Sequence, residues 1–105
     1  MRAMRIIVMF DLPATTPVEK RAYIDFRRFL VEDGYRMEQF SVYSKVAMGG
    51  ASAEAARLRL RLNRPPFGSV TVFEMTEKQY ASREILVDSR EASRHDIGTQ
   101  LTLEF

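Results

Sequence analysis

Residues 4–10 (MRIIVMF) form an almost unbroken apolar run, rich in β-branched and aromatic side chains. The run is too short for a buried helix and suits a central strand covered on both faces. It stops at Asp11-Leu12-Pro13, where proline ends strand pairing and biases its predecessor towards extended geometry. A strong helix start follows. Thr16 stands as N-cap, Pro17 as first helical residue and Glu19 as the reciprocal partner of a capping box.

The rest of the chain completes an ordered pattern. Val18, Ala22, Phe26, Phe29 and Leu30 share one helical stripe. Arg21, Asp25, Arg28 and Glu32 form a ladder of alternating sign on the opposite face, and Gly34 is a natural stop. Residues 35–46 (YRMEQFSVYSKV) return to strand composition but are long for one strand. Their alternation slips at Gln39-Phe40, so two strands meeting at a tight bend or bulge are expected. Residues 48–52 read as a loop. Residues 53–64 alternate strictly in part, yet their alanines, leucines and arginines are good helix formers. We expect a helix there, with Ala51, Ala55, Leu58 and Leu62 as its apolar stripe, ended by Pro65-Pro66. Residues 68–75 (GSVTVFEM) read as a strand, 76–80 as a capped single turn and 85–87 as a short final strand.

Strand, helix, strand, strand, helix, strand is the ferredoxin-like βαββαβ pattern. It predicts an α+β domain with a four-stranded antiparallel sheet and two helices on one face, the first and third strands central. Length fits one domain, expected over 1–88, with a polar, net acidic tail over 89–105 that holds the sole histidine, His95, and closes on strand-like residues 101–105. A domain this small gains from a dimer interface.

Composition removes several function classes. The chain has no cysteine and one histidine, which excludes disulfides, thiolate sites and a multi-histidine metal cage within one chain. No Gly-rich phosphate loop, nucleophile elbow or His-Glu-x-x-His pattern occurs. No apolar run reaches membrane-span length and none resembles a signal segment, so a cytoplasmic protein without a membrane partner is expected. Net charge is only +2, but of 16 basic residues only Lys20, Lys45 and Lys78 are lysine. Arginine suits bidentate phosphate contacts, although a GC-rich genome produces the same bias.

Two features could carry chemistry. Asp11 ends the expected central strand, where open sheets tend to place ligand groups; taken alone, a single aspartate there reads first as an Asx-type turn before Pro13. One carboxylate is a poor magnesium site, but a two-fold dimer facing Asp11 with its mate would supply two, enough for metal-assisted phosphodiester cleavage. Arg57, Arg59, Arg61 and Arg64 have little acid to pair with except Glu54. With Arg57, Arg61 and Arg64 on one helix face, they track a phosphate backbone or make a solvated surface. Arg27 lies off the charge ladder and is freer.

The segments IIVMFDLP (6–13), KRAYIDFRRFL (20–30), Gly34-Tyr35, QFSVYSK (39–45) and TEKQYA (76–81), in this order, resemble the CRISPR-associated protein two family, most of all members accompanying Cas9-type systems. The resemblance implies the same ferredoxin-like fold. It implies a homodimer in which the C-terminal strand of one chain, here 85–87, adds to the sheet of the other. It assigns Asp11 as the metal-binding and catalytic carboxylate, with Phe10 and Ser41 as site neighbours. It implies a magnesium- or manganese-dependent endonuclease on RNA or double-stranded DNA, and a bridge between copies of the integrase that inserts new spacers. Arg27, Arg57, Arg61 and Arg64 are the expected nucleic-acid contacts. An enzyme and a non-catalytic DNA-binding scaffold both remain open on the sequence.

Overall fold

The computed structural model describes residues 2–89. Its elements are β1 (Ala3–Asp11), α1 (Pro17–Glu32), β2 (Arg36–Gln39), β3 (Val42–Met48), α2 (Gly50–Leu62), β4 (Ser69–Thr76) and α3 (Glu77–Ala81). The sheet is antiparallel throughout, in the order β2-β3-β1-β4. This is the expected ferredoxin-like α+β architecture, with β1 and β3 central.

Side-chain alternation along β1 divides the sheet into two faces. Ile6, Val8 and Phe10 point to one face, and with Tyr43 and Ala47 of β3 they pack against Phe26 and Leu30 of α1 and Ala53, Ala56 and Leu60 of α2. Arg5, Ile7, Met9 and Asp11 belong to the other face, which α1 and α2 leave uncovered. The short α3 folds back onto that second face, where Arg5 and Ser44 lie beneath it.

Local signals hold where they are strong. Thr16 Oγ1 accepts from Glu19 N–H at 3.1 Å, and Glu19 Oε1 accepts from Thr16 N–H at 2.9 Å, closing the capping box. Gly34 has φ +97°, so its N–H bonds to Val31 O and the Tyr35 N–H to Leu30 O, the paired bonds of a Schellman stop. The bend near Gln39-Phe40 is present: the register of β2 on β3 shifts between Met37 and Gln39, and Ser41 takes φ +64°. Thr76 and Gln79 form a second capping box at the start of α3.

The second helix corrects two expectations. It begins at Gly50 rather than in the fifties after a loop, because four alanines between residues 51 and 56 favour helix as soon as the chain turns at Gly49. Its buried face is Ala53, Ala56 and Leu60, while Leu58 and Leu62 of the expected stripe point outwards at 48% and 74% exposure. Small alanines let α2 sit close to the sheet, and the larger leucines find room only outside. On α1, Phe26 and Leu30 are buried as expected, but Val18 is exposed. Among the described residues, 85–87 form no strand, and Ile85, Leu86 and Val87 are exposed. The expected strand at 101–105 and His95 lie outside the described residues.

Candidate functional site

Asp11 closes β1 at the edge of the sheet, opposite Ser69 of β4, and its side chain is exposed. Two backbone contacts fix this strand end. Phe10 N–H donates to Ser41 O at 3.0 Å, tying β1 to the turn before β3. Gly68, at φ +90°, packs so closely that a Cβ there would stand 2.9 Å from Asp11 O and 2.6 Å from Leu12 Cδ2. Only glycine fits this approach. Below Asp11, Phe10 is buried and stacks on Tyr43 at 5.8 Å, with the edges of Phe26 and Tyr23 closing around it. Phe10 and Ser41 thus meet through their backbones at this strand end, with the aromatic cluster on the face opposite Asp11.

The structure tests the fit of a divalent cation. Among the described residues no group of three or more His, Asp or Glu side chains gathers as a metal site. Among the described residues Asp11 therefore stands outside any such cluster, and a cation there would draw its remaining ligands from water, from substrate phosphate or from a second carboxylate.

The basic residues divide differently from the sequence expectation. Arg57 was expected to find little acid beyond Glu54, but it pairs with Glu74, which β4 places on the helix-covered face. Arg59 donates to Asp33 Oδ1 at 2.8 Å, and Lys45 Nζ donates to Asp33 O at 2.6 Å. Asp33 thereby links α1, α2 and β3. Arg27 is not free either: its Nε donates to the Tyr43 hydroxyl at 2.9 Å, beside the aromatic cluster under Asp11. Glu74 and Asp33 are far from the arginines in sequence, which hides both pairings from any spacing rule. Arg21 and Arg28 both reach Asp25, at 3.3 and 3.8 Å, so the ladder closes on that residue. Arg61 and Arg64 remain exposed without a carboxylate partner among the described residues; Arg64 Nη1 donates to Arg61 O at 2.6 Å.

A polar cluster on the other face had no place in the sequence reading. Arg5 donates from Nε and Nη2 to Glu77 at 2.9 and 2.5 Å and from Nη1 to Ser44 Oγ at 3.2 Å. Tyr80 donates to Glu38 Oε2 at 2.6 Å, and Ser44 donates to the same oxygen. Burial pushes the Glu38 carboxyl up, but the bonds from Ser44 and Tyr80, with Arg83 and Arg5 nearby, outweigh it and hold it below the usual range. The signal was a charge inside an apolar strand: a poorly solvated guanidinium in MRIIVMF demands partners.

A family model described as CRISPR associated protein Cas2 matches residues 4–83 of this chain. The chain belongs to the Cas2 family. A protein of Acidovorax ebreus named CRISPR-associated endoribonuclease Cas2 is 50% identical over 84 residues, covering 80% of this chain and 82% of the relative. A Streptococcus mutans protein of the same name is 43% identical over 90 residues, 86% and 83% of the two chains. One from Flavobacterium psychrophilum is 32% identical over 102 residues, 97% and 89% of the two chains. The family match spans both Asp11 and the Arg5 cluster.

Proposed function

We propose that this chain is a CRISPR adaptation protein of the cytoplasm: a homodimeric, metal-dependent endonuclease that binds nucleic acid and bridges the CRISPR-associated integrase during spacer acquisition. One observation carries the nuclease reading. Asp11 is an exposed carboxylate held rigidly at the end of a central strand, in a family whose relatives are named endoribonucleases. That name favours RNA over double-stranded DNA as the substrate.

Homodimerisation is supported by apolar surface. Met9, Val46 and Phe73 all lie on the face that α1 and α2 leave open, each more than 40% exposed. A cleft of about 700 Å³ beside them is lined by Ile7, Phe40, Val42, Tyr80 and Leu86. The free edge of β4 and the exposed residues 85–87 are the complementary parts of a strand added from a second copy. In such a dimer the two Asp11 carboxylates would hold magnesium or manganese, which would supply Lewis-acid polarisation of the phosphodiester and activation of water. Asp11 holds it, Phe10 and Ser41 keep Asp11 in position, and Arg61 and Arg64 hold flanking phosphates. Arg27 keeps guanidinium N–H groups beyond its bond to Tyr43 for the same purpose. Arg57, already neutralised by Glu74, contributes less.

The second reading, a non-catalytic scaffold holding duplex DNA, is favoured by the lack of any cluster of three metal-ligating side chains among the described residues. Asp11→Asn separates the two. The nuclease reading expects cleavage of single-stranded RNA with magnesium or manganese that disappears in the variant, while the dimer and nucleic-acid binding persist. Full cleavage in Asp11→Asn, or in excess chelator, rejects the metal assignment. Salt-dependent duplex binding with no cleavage in the parent selects the scaffold.

A further inference from the structure

We propose that Arg5, Glu38, Ser44, Glu77, Tyr80 and Arg83 form a clamp that sets the direction in which the chain leaves the sheet after α3, and so pre-orients residues 85–87 for pairing with a second copy. This extends the homodimer reading above.

The cluster draws on every layer around the exit point. Arg5 comes from the middle of β1, Glu38 from β2, Ser44 from β3, Glu77 and Tyr80 from α3, and Arg83 from the segment beyond. The Tyr80 ring lies between two guanidinium groups, Arg5 at 3.9 Å on one contact and Arg83 at 3.8 Å on the other. Such cation–π contacts strengthen as water is excluded. The Tyr80 hydroxyl donates to Glu38, and Arg83 Nη1 donates to Tyr80 O at 3.1 Å. Two carboxylates face two guanidinium groups, and Ser44 and Tyr80 both donate to Glu38 Oε2. The cluster is charge-balanced and internally bonded, so its role is positional rather than ligand binding.

The need for such a device follows from α3 itself. It has five residues and buries none of them. A helix this short has no stability of its own, and apolar packing does not hold it. Its place on the sheet therefore depends on the Arg5–Glu77 and Tyr80–Glu38 bonds. Among the described residues no hydrogen bond anchors residues 85–87, where Leu86 and Val87 are 82% and 84% exposed. An extended stretch from residue 83 to 87 reaches about 14 Å. A rotation of about 20° at its base moves its tip by about 5 Å, one interstrand spacing. The orientation of Tyr80 thus decides whether the segment meets a partner's strand edge in register.

The test uses Tyr80→Phe, which deletes only the bond to Glu38, Tyr80→Ala, which also deletes both ring contacts, and Leu86→Asp, which alters the presented segment but not the clamp. Dimer dissociation is read by sedimentation and backbone order by hydrogen exchange over residues 77–88, with thermal unfolding as the check on folding. The expected result is a dimer weakened about threefold to tenfold by Tyr80→Phe and about tenfold to a hundredfold by Tyr80→Ala. Exchange at 77–83 should accelerate in the same order. Leu86→Asp should abolish the dimer and leave the relative exchange ranking of 77–83 against 84–88 intact. Tyr80→Ala that dimerises like the parent overturns the pre-orientation. A parent that is monomeric at all concentrations overturns the homodimer reading alone. In that case unchanged exchange at 77–83 in Tyr80→Ala overturns the clamp, and accelerated exchange upholds it.

Discussion

Gly68 offers a direct test of how the end of β1 is held. Its φ of +90° is a conformation L side chains rarely adopt, and a Cβ there would meet Leu12 Cδ2 at 2.6 Å and Asp11 O at 2.9 Å. Gly68→Ala therefore carries two costs. The backbone conformation costs about 1–2 kcal/mol for a residue with a Cβ. Leu12 Cδ2 is the end of a flexible side chain and can swing away, but Asp11 O is backbone in the ladder between β1 and β4, and moving it costs about another 1–2 kcal/mol. The sum, about 2–4 kcal/mol, lowers Tm by about 10–25 °C in a domain of this size. Gly50→Ala is the matched control. Nothing lies within 4 Å of its added Cβ, and it opens α2; alanine there is neutral or stabilising by up to about 1 kcal/mol. Both variants should be melted by circular dichroism at one protein concentration, since a dimer's Tm depends on it. Gly68→Ala melting within about 2 °C of Gly50→Ala, a window set to about half the smallest shift that 1 kcal/mol produces, would refute the reasoning.

Three further outcomes are expected. The Tyr35 hydroxyl is buried without a hydrogen-bond partner among the described residues, and burial, with Asp33 nearby, pushes its pKa up to about 12; Tyr35→Phe should therefore keep or raise stability by up to about 1 kcal/mol in denaturant titration, and a loss above that size would mean the hydroxyl has a partner. The Arg5 bond holds the Glu77 carboxyl, and the Ser44 and Tyr80 bonds hold that of Glu38, below the ordinary 4.5. Both stabilise the fold fully above that value and lose their contribution as pH falls through their lowered values; Tm should be flat from pH 7 to about pH 5 and fall below it, less steeply in a Glu38→Gln/Glu77→Gln double variant, whereas parallel profiles would remove the carboxylates from the account. In nucleic-acid titrations at several salt concentrations, Arg61→Ala/Arg64→Ala should reduce the log-salt slope by about two, while Arg57→Ala, which breaks its pair with Glu74, should chiefly lower stability; equal slopes in the first variant and the parent would move the phosphates off α2.

Sequence alone determined the elements whose signals are local. The apolar run at 4–10 could only be an interior strand. Thr16-Pro17-Val18-Glu19 and Gly34 bracket α1 through hydrogen bonds made within four or five residues, and the slip at Gln39-Phe40 marks a real register shift. Their order specified the sheet, and Asp11 was visible as the residue that ends β1. Tertiary structure alone decided which face of α2 is buried. Leu58, Leu60 and Leu62 stand at a spacing of two, so successive leucines point about 200° apart around a helix, and alanines lie on every side. Periodicity then selects no face, and the choice falls to which side can approach β1 and β3 closely. The same holds for the charges. Arg57 with Glu74, Arg59 with Asp33, and Arg5 with Glu77 join residues 17 to 72 positions apart. The near approach of Gly68 to Asp11 is of this kind too, because a contact between chain segments exists only once the strands are laid side by side.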